Sequence, residues 1–248
     1  MSDAPLFPAP ARSPIRRRKL YEEVAQRIEE MIHTGRYAPG DQLPSEKEIM
    51  EELGVGRSTV REAMLSLQKM GLTSVKSGER ARVTEPTAQV LVNELSGAAR
   101  LLLAQPGGVQ RFQEARALFE IGLARAAAQC ASEEDLHRLK DTLDANFRAI
   151  GDPVGFVRTD VAFHYAIAVI PRNTIFTALY NAVVEWLTEQ REISGKAPMS
   201  PELAYAAHER IFKAIAAHDP VAAEAAMQDH LDQVAKLYWQ VKDQRPDG

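Results

Sequence analysis

Cysteine occurs once in these 248 residues, as Cys130. No disulfide can close within the chain, and a reducing cytoplasm is the expected setting. No run of about 18 apolar residues is present, so no membrane-spanning helix is expected. No apolar signal core opens the sequence, which begins proline-rich and then turns basic. Aromatic residues are scarce, at 6%, while alanine crowds the C-terminal half, a balance that favours close-packed helices over a β-sandwich. Neither a glycine-rich phosphate loop nor a repeat of fixed period occurs, so a P-loop enzyme and a solenoid are not expected.

What is present suits a soluble globular protein, with 45% hydrophobic and 26% charged residues. A domain commonly takes about 100–200 residues, so the length predicts two. The net charge of −4 is unevenly spread: residues 1–86 hold 14 Lys/Arg against 13 Asp/Glu, and the remainder 16 against 21. A near-neutral domain still attracts polyanions if its cations cluster. Here they do, as Arg12 and Arg16 to Lys19, then Arg57 with Arg61, then Lys76, Arg80 and Arg82.

Residues 1–18 read as a disordered basic arm. Residues 19–86 read as one domain. Leu20, Val24, Ile28 and Met31 form a helical stripe that Gly35 stops. Ser45 with Glu48 fits a capping box, so a short helix should start there and run to about Leu53. Gly54 to Gly56 make a tight turn into a third helix, with Val60, Met64 and Leu67 facing inward and Gly71 at its end. Leu72 to Lys76 and Ala81 to Glu85 flank a Gly78-containing turn, which predicts a two-stranded wing.

Residues 87–242 read as an all-helical domain. Helices are expected at about 88–104, 109–130, 132–150, 153–170, 172–192, 201–217 and 220–242. Ser200-Pro201 and Asp219-Pro220 each set a cap residue before a proline at the first helical position. The fold class is therefore mainly α: a winged helix-turn-helix, then a helical bundle.

The third helix concentrates basic and hydroxyl groups. Arg57 and Arg61 are four apart and share a face, with Ser58 and Thr59 at the same end. A recognition helix offers its N-terminal residues to base edges in the major groove, where arginine bonds guanine O6 and N7 together. Two arginines alone would be a solvated helix face; the surrounding helix-turn-helix-wing pattern favours DNA.

Residues 19–85 resemble the winged helix-turn-helix of the GntR family, in the run Gly40-Asp41-Gln42-Leu43-Pro44-Ser45-Glu46 and in Gly56-Arg57-Ser58-Thr59-Val60-Arg61-Glu62-Ala63. The resemblance implies that Arg57 and Arg61 contact bases or nearby phosphates. It implies that Ser58 and Thr59 contact phosphates, Lys47 supports from the preceding helix, and Gly78 sits at the wing tip. Double-stranded operator DNA is the implied partner, bound by a homodimer. Many members carry a second wing glycine; here the tip reads Ser77-Gly78-Glu79-Arg80.

In the helical domain His164, His208 and His230 each lie on an apolar stripe of their own helix, and Asp160 sits one turn before His164. A buried carboxylate needs a partner. Three inward histidines and one carboxylate could hold a divalent metal, but spacing alone favours the other reading, hydrogen-bonded core histidines. His33, His137 and His218 read as surface residues near helix ends.

Residues 88–240 resemble the FCD effector domain of the family's FadR-type branch, whose metal-binding members carry Asp-x3-His and two later histidines. That pattern corresponds here to Asp160, His164, His208 and His230. The resemblance implies a divalent metal, zinc foremost, with positions open to an acidic effector, and Arg116 as a cation near that ligand. Arg116 lies four residues before Glu120, so an internal ion pair is the other reading. Asn173, in the turn after Pro171, is a further candidate for a polar contact with the effector. The stretches Gly78-Glu79-Arg80-Ala81-Arg82-Val83, Glu94-Leu95-Ser96-Gly97, Pro106-Gly107-Gly108 and Ile170-Pro171 resemble sialic-acid-responsive members of this branch, which implies N-acetylneuraminate as effector and repression as its target. Another sugar acid or carboxylate is the alternative. A metal-dependent hydrolase is the rival of another class, since the same ligands could activate water. No residue is placed as its general base, and it leaves the DNA module unexplained.

Overall fold

The computed structural model describes residues 19–243 except 77, 189–192, 194–196 and 198–199. The arm expected over 1–18, wing residue Ser77 and the end of the helix expected over 172–192 lie outside the described residues, in the last case beyond Thr188. The chain divides into two compact units, Met1–Val90 and Leu91–Gly248.

The first unit holds α1 (Leu20–His33), α2 (Glu46–Leu53), α3 (Arg57–Lys69), β1 (Thr73–Ser74) and β2 (Arg82–Val83). The expected capping box forms at α2. Ser45 Oγ accepts from the Glu48 amide at 3.3 Å, and the Glu48 carboxylate accepts from the Ser45 amide at 2.6 Å. Gly54 then closes α2 in the left-handed region, at φ 64°, which costs glycine nothing sterically.

α1 and α3 pack around Val24, Ala25, Ile28, Val60, Ala63 and Leu67. Two expectations shift. Leu20, the first residue of α1, is 53% exposed. Met64 is only half-buried, while Ala63 is fully buried beside Val60; an alanine there leaves room for two helices to approach closely.

The wing strands are two residues each rather than five, paired antiparallel with Thr73 opposite Val83 and Ser74 opposite Arg82. The other edge of β2 is also occupied: the Gly40 amide donates to Val83 carbonyl, Val83 amide to Asp41, and Leu43 amide to Ala81, at 2.8–2.9 Å. The loop before α2 thus serves as a third strand-like segment. Gly71, where α3 ends, has φ 72°, and a Cβ there would stand 2.6 Å from Val90 Cγ2. No other residue type meets both conditions without a shift.

α4 (Ala88–Leu103) runs unbroken across the boundary between the units. The second unit continues with α5 (Gly108–Cys130), α6 (Glu133–Arg148), α7 (Pro153–Val169), α8 (Thr174–Trp186), α9 (Ser200–Ala216) and α10 (Pro220–Asp243). α5 packs on α7, α9 and α10, with Ala124, Ala127 and Ala128 fully buried. Phe163, Ile167, Tyr180, Ile211, Ile215 and Met227 complete the core. The expected cap at Asp219 forms, its Oδ1 accepting from the amides of Val221 and Ala222. Ser200 is the first residue of α9 rather than its cap.

Candidate functional site

Two constellations emerge, one in each unit. In the first, α3 starts without a side-chain cap because Gly56 stands at its N-cap. Arg57, Ser58 and Arg61 are exposed and Thr59 is half-buried. Both arginines lean on one carboxylate of α2: Arg57 Nε lies 3.7 Å and Arg61 Nε 3.3 Å from Glu46 Oε2. Lys47 is exposed on α2 and pairs with Glu51 one turn on. In the wing Arg80 reaches Glu48 at 3.5 Å, Arg82 donates to the Gly40 carbonyl, and Gly78 takes φ 80° in the turn.

In the second unit the fold brings Asp160, His164, His208 and His230 together. α7 supplies the first two, α9 the third and α10 the fourth. One ligand atom from each falls within 4.8 Å of the others. The three histidines are buried and Asp160 is half-buried. His33, His137 and His218 are exposed, as expected.

The hydrogen bonds around His208 fix which nitrogen carries its proton. Thr159 Oγ donates into the carbonyls of its own helix, so it accepts from Asn146 Nδ2 at 3.0 Å. Asn146 therefore turns its oxygen toward His208 Nδ1, also at 3.0 Å. Nδ1 must donate, and Nε2 is left with a lone pair. That lone pair is buried without a hydrogen-bond donor and lies 3.4 Å from Asp160 Oδ1, itself an acceptor. Burial pushes the His208 imidazole down to about 3, against the opposing pull of Asp160, so the ring itself is neutral near pH 7. Two acceptors facing across 3.4 Å are stabilised by a shared cation.

His164 and His230 differ from His208: their Nε2 atoms lie 3.1 Å apart in a mutual hydrogen bond, and the buried His230 Nδ1 makes none. Ligands about 2.0–2.1 Å from one ion, at angles of about 90–109°, lie roughly 2.8–3.4 Å apart. The donor set of three imidazoles and one carboxylate suits a borderline divalent cation.

Sequence reasoning missed two residues that hold these histidines. Asn146 is one. Glu120 is the other: its Oε2 lies 2.5 Å from His164 Nδ1, and its Oε1 accepts from Arg116 Nε at 2.5 Å. The i, i+4 spacing of Arg116 and Glu120 revealed their pairing, but nothing in the sequence marked the second oxygen. Arg116 is buried and also lines a cavity of about 510 Å³ between α5 and α10, with Ala117, Ile121, Leu231, Tyr238 and Trp239. None of the four cluster residues lines that cavity. Asn173 caps α8, its Oδ1 accepting from the Ile175 amide at 3.0 Å.

The histidines also predict acid sensitivity. Burial, foremost, holds both His208 and His230 well below the ordinary imidazole range. Above about pH 6.5 they are neutral folded or unfolded. Below it the unfolded chain takes up protons that the folded chain refuses, so stability falls with pH. Calorimetry of metal-free protein should show a falling Tm of the effector domain between about pH 7 and 5. A Tm that is flat or rises on acidification refutes this.

Residues 20–83 match the gntR family of bacterial regulatory proteins, and residues 112–233 match the FCD domain. The HTH-type transcriptional repressor NanR of Enterobacter sp. (strain 638) is 41% identical over 92% of this chain and 88% of its own. NanR of Cronobacter sakazakii is 41% identical over 94% and 90%. Among solved structures, a GntR protein of Streptococcus agalactiae superposes with a TM-score of 0.61 at 26% identity, covering 87% of this chain and 99% of that one.

Proposed function

The chain belongs to the gntR family, as a transcription regulator with an FCD domain, and from that premise we propose that it is a repressor released from operator DNA by N-acetylneuraminate. The family is one of regulators rather than enzymes, which removes the hydrolase reading. The observation that carries the proposal is the buried Asp160/His164/His208/His230 cluster, in a chain about 40% identical to NanR repressors over most of its length.

In this reading Asp160, His164, His208 and His230 hold a divalent cation, zinc foremost, which supplies a Lewis-acid site for a carboxylate. Glu120 and Asn146 orient His164 and His208, and Arg116 offers positive charge to the effector's carboxylate. Asn173 is a polar contact whose side-chain oxygen also caps α8. Arg57 and Arg61 read bases, while Ser58, Thr59 and Lys47 hold phosphates and the Gly78 turn approaches the minor groove. α4, continuous between the two units, carries the signal.

The test is a gel-shift titration on the DNA upstream of the protein's own gene, with and without N-acetylneuraminate. Release by that acid is expected. Release by another sugar acid alone keeps the regulator and replaces the effector, and indifference to every carboxylate overturns the sensing role.

Operator half-sites commonly mirror a protein two-fold axis. A homodimer is therefore expected, and sedimentation at micromolar concentration should give twice the 27.5 kDa chain mass. A purely monomeric boundary counts against it.

A further inference from the structure

Glu46 is the first residue of α2 and the acid on which both recognition arginines lean. Its Oε2 lies 3.7 Å from Arg57 Nε and 3.3 Å from Arg61 Nε, and its Oε1 lies 3.4 Å from Arg61 Nε. The side chains of Arg57, Arg61 and Glu46 are 69%, 62% and 39% exposed. Exposed ion pairs stabilise a fold little, so folding gives no strong reason for a carboxylate here. On a face that meets phosphates the same carboxylate repels DNA.

What it does accomplish is geometric. In each arginine Glu46 lies nearest Nε, the inner edge of the guanidinium, and leaves the two outer amino groups for another acceptor. Guanine O6 and N7 present a matching pair of acceptors, and a guanidinium held at one angle discriminates them from other base edges. A guanidinium free to swing satisfies any phosphate instead. We infer that Glu46 is a specificity-determining positioning residue, which aims Arg57 and Arg61 at base edges and lowers affinity for DNA in general. This rests on the reading of α3 as the DNA-contacting helix.

The experiment uses the full-length protein and two duplexes of equal length. One is selected from a random pool by the wild type, and the other is its scrambled counterpart. Glu46→Gln keeps the shape and removes the charge. It should bind the scrambled duplex several-fold tighter, with a salt slope steeper by about 1. The selected duplex should gain nothing, so the ratio of affinities falls about tenfold, one well-placed base contact's worth. Glu46→Asp, which keeps the charge on a shorter arm, should fall between.

Equal tightening on both duplexes would make Glu46 a repelling charge alone and overturn the proposal. The Arg61→Ala background gives a second test that does not depend on the size of the first effect. There only Arg57 is left for Glu46 to aim, so Glu46→Gln should lower the ratio less, and with Arg57→Ala added it should not lower it at all; a fall that persists in the double background overturns the proposal. If Arg57→Ala and Arg61→Ala leave the ratio untouched, the reading of α3 fails. If they lower it while Glu46→Gln does not, only the role of Glu46 fails.

Discussion

Replacing His208 and His230 together with alanine should empty the effector domain of bound divalent metal and abolish release of DNA by N-acetylneuraminate. Operator binding in the absence of effector should stay close to that of the wild type. Both side chains are buried and come from different helices, so the pair removes half the ligand set from two of its three walls. α3 belongs to the other compact unit, whose core draws on none of these residues. An effector shifts DNA affinity only by its differential binding to two conformations. A coupling of about 1–3 kcal/mol makes release about 5–150-fold, and operator DNA must weaken effector binding by the same factor. Metal per chain after dialysis, a thermal melt and a gel shift form the measurement. A folded, metal-free double variant that still releases DNA on addition of the acid would end the metal-centred account. Because two buried truncations can loosen the bundle, Asp160→Asn serves beside them, removing one ligand's charge at a half-buried position.

The second large effect is on DNA. Arg57→Ala should weaken binding to the operator by about 1–3 kcal/mol, roughly 5–150-fold, and leave scrambled DNA much less affected. The arginine is exposed at the first residue of α3, beside Val60 and Ala63 that anchor the helix but are not touched by the substitution. The fold should therefore be unchanged. Lys47→Ala, by contrast, should weaken all sequences alike and reduce the salt slope by about 1, as loss of one phosphate contact does. Competition titrations at two salt concentrations separate these outcomes. Wild-type operator affinity in Arg57→Ala would remove α3 from the base-reading role.

The legible parts of the molecule were those written locally. The Ser45–Glu48 box, Gly54, Pro153 and Asp219-Pro220 set helix ends through contacts within a few residues, so spacing alone located them. His164, His208 and His230 were legible as inward because each sits on a 3.6-period apolar stripe, and the structure does bury all three. What the sequence hid is what depends on partners far along the chain. Asn146 shows no sign of meeting His208, nor Glu120 of meeting His164, because each pairing is made by helix packing. The wing strands are shorter than their composition suggests, because β-propensity at Val75 and Thr84 marks extended chain but not how far it pairs, and the pairing of Gly40 to Leu43 with the far edge of β2 leaves no local sign either. Leu20 followed the periodicity of α1, yet at the helix's first turn no neighbour covers it enough to bury it.

The Asp160/His164/His208/His230 cluster would also bear on how long the protein lasts in a cell, once it holds a cation. Asp160 and His164 share α7, while His208 and His230 come from helices that begin at Ser200 and Pro220. A cation held by all four is a cross-link among three separate stretches of chain, and the unfolded chain has no such site to offer it. Its binding energy then adds to the domain's resistance to unfolding: about 2.7 kcal/mol when free metal stands at 100 times its Kd. Metal supply would thus set the amount of regulator surviving proteolysis as well as its readiness to respond. In metal-starved cells the regulator would be cleared sooner, and its target genes would respond to metal without any effector at all.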